Sequence, residues 1–320
     1  MQNNKAALTP PKSMRKTSGF RYTLSQYWRY RHLTLMLLVS VTVLIIFKYV
    51  PIYGLQIAFK KFKILEGIWG SPWVGLANFK KVFSMPGFTQ AFMNTIILGG
   101  LNLLFGFPLQ ILLALLLNEL TNLRFKKTVQ TFSYLPHFIS WVTLSGLFIQ
   151  FLSPSTGPVA ALYRAMGLTP YYFMGEVSTF RGVLVVTNIW KSIGWGSIIY
   201  LAALSTVNQE MYEAAIIDGA TRFQRVHYIT IPSIAPTITI MLILTSGSIL
   251  NDNFDQVYNM MNAAVYSVAN NISVLTYELG LKNMKYSLST AIGLFKNVIA
   301  FGLVILANTI SKRVNDYGIW

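Results

Sequence analysis

The sequence has no cysteine among its 320 residues, which excludes a disulfide framework, a thiolate metal site and a cysteine nucleophile. Acidic residues are scarce, 10 Asp+Glu against 26 Lys+Arg, for a formal charge of +16. Apart from the pairs 210/213 and 252/255 they are scattered, and no nucleophile–base arrangement is legible, so no catalytic residue is expected. The three histidines, His32, His137 and His227, are isolated and lack metal-ligand spacing. No Gly-x-x-x-x-Gly-Lys-Ser/Thr run occurs, so the chain cannot hold ATP in a P-loop. Charge of either sign makes up 11% of residues, against about 25% in a soluble domain.

Apolar residues fill the space that charge leaves. They make up 53% of the chain, and the mean hydropathy is +0.49, the profile of an integral membrane protein. A helix needs roughly 20 mainly apolar residues to cross a bilayer. Candidates run from Leu33 to about Val50, ended by Pro51, and then at about Phe92–Leu117, Thr128–Leu152, Phe180–Leu204, Ser233–Leu250 and Thr290–Ile310. An all-α protein of six transmembrane helices follows, with both termini on one side. The first span lies behind a long polar stretch and lacks a small-residue cleavage site, so it does not read as a cleaved signal peptide.

Basic residues cluster at the ends of these spans, where they report orientation and contact with anionic lipid, not nucleic acid. With the N-terminus inside, the inner segments hold 14 and the outer segments 10, which favours both termini in the cytoplasm. The expected layout is a basic tail over 1–32, with Met1–Lys16 disordered, and a first span over 33–54. An outer loop follows over 55–91, then a five-helix core over 92–310 containing a polar loop at 205–232, and a cytoplasmic tail over 311–320. The outer loop mixes Lys60, Lys61, Lys63, Lys80 and Lys81 with Trp69, Trp73 and several Phe. Either an interfacial amphipathic segment or a solvated loop would account for it.

Residues 205–232 form the most distinctive stretch. Asn208-Gln209-Glu210 can start a helix, and Glu210-Met-Tyr-Glu213-Ala214-Ala215-Ile-Ile is strongly helix-forming. Asp218-Gly219 can break it, because Gly readily takes positive φ. The chain resumes at Thr221 and is expected to stop at Pro232. The result is helix, turn, helix, with Ala214, Ala215 and Ala220 near the bend, a surface that another backbone can approach closely. An ordinary amphipathic connector would share these features.

Glu213-Ala214-Ala215, then Gly219, then Ile229-Thr-Ile231-Pro232 resembles the EAA loop of ABC-importer permeases. Ser71-Pro-Trp73-Val-Gly75-Leu-Ala-Asn78-Phe79 resembles the first outer loop of maltose-permease-like sugar permeases. Asn188-Ile-Trp190-Lys-Ser192-Ile-Gly-Trp195-Gly196 is similar to the polysaccharide subgroup (LplB/YtcP-like). The resemblance implies a type I ABC importer permease with a cytoplasmic coupling helix in the bacterial cytoplasmic membrane. Coupling to the ATPase would fall to Glu213, Ala214, Ala215, Asp218, Gly219, Ala220, Ile229 and Pro232. It implies as partners a second permease subunit in a heterodimer, two ATP-binding subunits carrying ATP and Mg, and an extracytoplasmic solute-binding protein. An oligosaccharide, including uronic acid-containing fragments, would be the substrate.

Three clusters are candidates for the substrate path, because polar groups inside a bilayer are costly. The first, Pro136-His137-Phe-Ile-Ser140, holds a proline that can open the helix. His137 reads equally as a packed residue or as a cavity residue. Ser192, Trp195 and Gly196 match positions lining the maltose-permease cavity, although Trp195 is also placed to face lipid or protein. Asn251-Asp252-Asn253-Phe254-Asp255 suits a hydroxyl-rich ligand, or a hydrated helix end. Its acidic pair argues against an anionic sugar, while the basic outer loop argues for one. A secondary transporter would show repeats and buried coupling carboxylates, and a membrane-embedded enzyme an interfacial carboxylate or His cluster. Neither is legible.

Overall fold

The computed structural model describes residues 30–251, 253–315 and 318–319. The expected disordered stretch Met1–Lys16 and the candidate Asp252 lie outside the described residues. The described chain is helical, with two isolated β-bridges, Lys60–Trp73 and Lys63–Gly67. It divides into two compact units, Met1–Leu55 and Gln56–Trp320.

The first unit contains most of α1, Arg31–Phe59, whose most apolar stretch buries none of its residues inside the chain. Such a surface calls for lipid or another protein around it. Pro51 does not end this helix as expected. A wide π-type turn, Ile45–Tyr49, precedes it, and the chain then tightens into 3-10 winding over Val50–Phe59. A proline ring normally collides with the carbonyl four residues back, here that of Phe47, inside the widened turn.

In the second unit the membrane-length helices are α2 (Phe88–Glu119), α5 (Val177–Leu204), α7 (Arg222–Gly247) and the last helix, Tyr286–Asn315. The third expected span is not one helix. It consists of α3 (Leu123–Phe138) and α4 (Trp141–Phe151), bent by 104° at the break. Pro136 opens a 3-10 turn there, and Ile139 and Ser140 are extended. The Ser140 Oγ accepts from the Thr143 amide and caps α4. Five continuous helices of spanning length therefore result among the described residues, or six spans if the bent pair counts as one.

The first loop folds back on itself. Asn78 Nδ2 donates to the carbonyls of Ala58 and Lys60 at 2.8 and 3.0 Å, and Phe59 stacks on Trp73. The Trp-Val-Gly-Leu-Ala-Asn-Phe run thus ties down the loop entrance. Tyr200 and Ala114 are fully buried with Ile234, joining α2, α5 and α7.

Candidate functional site

A short helix–turn–helix elbow was expected at 205–232, and the chain builds it with a full set of local signals. Helix α6 runs Gln209–Ile217, and the Asn208 side chain caps its first turn. At its end Ala220 N–H donates to Ala215 O and Gly219 N–H to Ile216 O, the paired bonds of a Schellman motif. Gly219 sits there at φ +79°, which is why the position is glycine. Thr221 and Gln224 then form a reciprocal capping box at the start of α7.

The expected stop at Pro232 is a correction, since α7 passes through it to Gly247. A second π-type turn, Val226–Thr230, places the carbonyl four residues before Pro232, that of Tyr228, in a widened ring. Tyr212 on α6 meets Thr230 through a 2.9 Å hydroxyl–hydroxyl hydrogen bond, so elbow and span are tied together. Glu213, Ala214, Asp218, Gly219 and Pro232 are exposed, and Ala215, Ala220 and Ile229 are half-buried. Ala215, Asp218, Gly219, Ala220 and Ile229 border a hollow of about 290 Å³. On the same elbow Ile217 and Phe223 are 86% and 78% exposed. A large apolar surface left open beside a polar elbow is suited to a protein partner.

The second feature is a polar cavity of about 200 Å³ between α2, α5 and the end of α7. Of the predicted path residues it collects Ser192, Asn251 and Asn253. Asn102, Gln110, Asn188, Ser248 and Gln256 complete its polar wall. Asn253 Nδ2 donates to Asn188 Oδ1 at 2.6 Å, and Asn188 Nδ2 donates to Asn102 Oδ1 at 2.9 Å, a relay of three amides across the cavity. Gln256, fully buried, donates to Leu184 O and Thr187 Oγ1. These amides carry donors and acceptors together, as an array of sugar hydroxyls requires.

None of the other described path residues borders this cavity. Ser140 caps α4, and Gly196 makes room for Gln110, whose Cδ would lie 2.2 Å from an added Cβ. His137 stacks face to face on Trp195, centroids 4.4 Å apart, beside the break between α3 and α4. Phe254 packs on Tyr258 and Tyr277, and Asp255 is exposed in the first turn of Phe254–Met260.

One residue inside a span escaped the sequence reading. Lys191 on α5 points its Nζ into the α3–α4 break, donating to the carbonyls of Pro136 at 3.1 Å, His137 at 2.8 Å and Ile139. It also lies 5.5 Å from the centre of the Trp141 ring. The carbonyls released by the broken helix thereby find a donor, and the ammonium finds acceptors without a carboxylate. A lysine within an apolar run was the available signal, since such residues are costly unless they are satisfied.

Membrane-length helices around an amide-lined cavity, with an open helical elbow at the foot of one span, define a membrane transport subunit. Residues 106–316 match the binding-protein-dependent transport system inner membrane component family, and the chain belongs to that family. It is a multi-pass membrane permease with the type I ABC importer fold. Protein LplB of Bacillus subtilis (strain 168) is 43% identical over 292 residues, covering 91% of this chain and 92% of that protein. The polygalacturonan/rhamnogalacturonan transport system permease protein YteP of the same organism is 41% identical, covering 91% of this chain and 90% of that protein. A chain of a bacterial ABC transporter involved in import of the acidic polysaccharide alginate superposes with a TM-score of 0.84 at 41% identity. The match covers 92% of this chain and 99% of that one, and the transporter has also been crystallised with an alginate pentasaccharide-bound periplasmic protein.

Proposed function

We propose that this permease carries an acidic oligosaccharide inward across a bacterial cytoplasmic membrane, taking it from an extracytoplasmic binding protein. A second permease subunit forms the other half of the path, and two ATPase subunits, which hold ATP and Mg, dock on the α6 elbow. The observation that carries the coupling role is the elbow itself. It is exposed, rimmed by apolar Ile217 and Phe223, and bonded through Tyr212 to the foot of α7. Both termini lie in the cytoplasm on this reading, which the distribution of basic residues supports.

The substrate class rests on relatives that transport polygalacturonan and alginate, and on the amide relay Asn253–Asn188–Asn102. Within this one subunit the cavity measures about 200 Å³. An oligosaccharide therefore needs a wider path, which the second permease and the opening of the spans must supply. In that path the amides exchange hydrogen bonds with hydroxyls, and the elbow transmits the motion that opens it.

The test is ATPase activity of the reconstituted complex with its binding protein, across neutral and uronic oligosaccharides. Stimulation strongest with uronic chains is expected; none by any oligosaccharide would overturn the function. Co-purification with the ATPase should be lost on altering residues 213–219.

A further inference from the structure

Beside Asn253 in the amide-lined wall, Phe254 opens a second surface. Phe254, Tyr258 and Tyr277 bring their rings together at centroid distances of 5.0 to 5.1 Å. Lys282 sets its ammonium 5.1 Å from the centre of the Tyr258 ring and 5.6 Å from that of Tyr277. This lysine is exposed, and its ammonium makes no ion pair among the described residues. The nearby carboxylate, Glu278, is engaged by the Tyr266 hydroxyl at 2.8 Å. The hydrogen bond from Lys282 pulls the Tyr258 hydroxyl below its usual range, and the same bond holds Lys282 above its own. Lys282 is therefore charged at neutral pH.

Building on the import of an acidic oligosaccharide, we infer that Phe254, Tyr258, Tyr277 and Lys282 form a uronate-reading subsite at the outer end of the path. The apolar face of a sugar ring stacks on the aromatic rings, as aliphatic C–H surfaces do. Its carboxylate pairs with Lys282, the charge-assisted contact that a neutral hexose cannot make. The subsite hands the chain on to Asn253 and the amide relay. It lies outside the spans, between Gly247 and Tyr286, where a cation remains hydrated until a sugar arrives. The basic residue that selects for acidic sugar is thus separate from Lys191, whose ammonium is already saturated by carbonyls.

The experiment compares Lys282→Gln and Lys282→Arg with the parent in the reconstituted complex. It measures transport of a tri-galacturonate and of a neutral tri-galactoside at low and high salt. Lys282→Gln is expected to raise the half-saturating concentration for the acidic sugar about three- to tenfold at low salt. The maximal rate and neutral-sugar transport should hold, and Lys282→Arg should restore the parent value. The parent's preference for acidic sugar should also weaken in high salt. Equal effects on both sugars, or none on either, would overturn the subsite while leaving the permease function standing. A parent complex that transports neither sugar would overturn the function, and the subsite with it.

Discussion

Lys191 shows what a single charge can do inside a bilayer when its partners are backbone. Three carbonyls from the Pro136–Ile139 break surround its ammonium, and the Trp141 ring covers one side. Replacing it with Met leaves those acceptors without a donor, at about 1–3 kcal/mol for each buried group left unsatisfied. Lys191→Met should therefore lower the melting temperature of the detergent-solubilised protein markedly, while Lys191→Arg recovers most of the loss. An unchanged melting temperature in Lys191→Met would mean that water already serves the carbonyls. At this scale the sequence was legible only in part. Asn188 and Asn102 are ordinary amides within apolar runs, Gln256 directly follows the candidate run 251–255, and only the packing of three separate segments brings them into one cavity.

At the scale of the elements, prolines do not stop these helices, although Pro51 and Pro232 were expected to. Pro51, Pro108 and Pro232 each follow a π-type turn that ends two residues earlier: Ile45–Tyr49, Asn102–Gly106 and Val226–Thr230. In all three cases the carbonyl four residues behind the ring falls inside the widened turn, so the helix carries on. The hydropathy of the spans could not reveal this, because a π-type turn leaves no mark on composition. The elbow was far more legible, since capping residues and a positive-φ glycine are local signals. An added Cβ at Gly219 would meet nothing within 4 Å, and its cost is that of the left-handed backbone, about 1–2 kcal/mol. Gly219→Trp should thus insert and fold, yet uncouple ATP hydrolysis from transport more severely than Glu213→Gln, whose exposed charge contributes only ~0–1 kcal/mol. Near-wild-type transport by both variants, measured in vesicles with the ATPase present, would remove the docking role of the elbow.

For the whole molecule, the absence of cysteine turns into a practical advantage. A single cysteine placed at Ser155 should react with a membrane-impermeant thiol reagent in intact cells, and one placed at Ser205 only after the cells are permeabilised. Labelling of Ser205 from outside would reverse the proposed orientation. The five continuous spans were legible because hydrocarbon thickness fixes their length. Of the 104° bend only an opening at Pro136 was legible, because a break of two residues leaves no sign of its angle inside an apolar run. The uncut helix α7 has a further consequence. At ~1.5 Å per residue its 26 residues make a rod about 39 Å long, with the elbow proposed to dock the ATPase at one end. At the other end lies Thr245, in the wall of the amide cavity. A rigid rod of that length works as a lever: tilting its foot by about 5° would sweep its tip roughly 3 Å, about the length of one hydrogen bond.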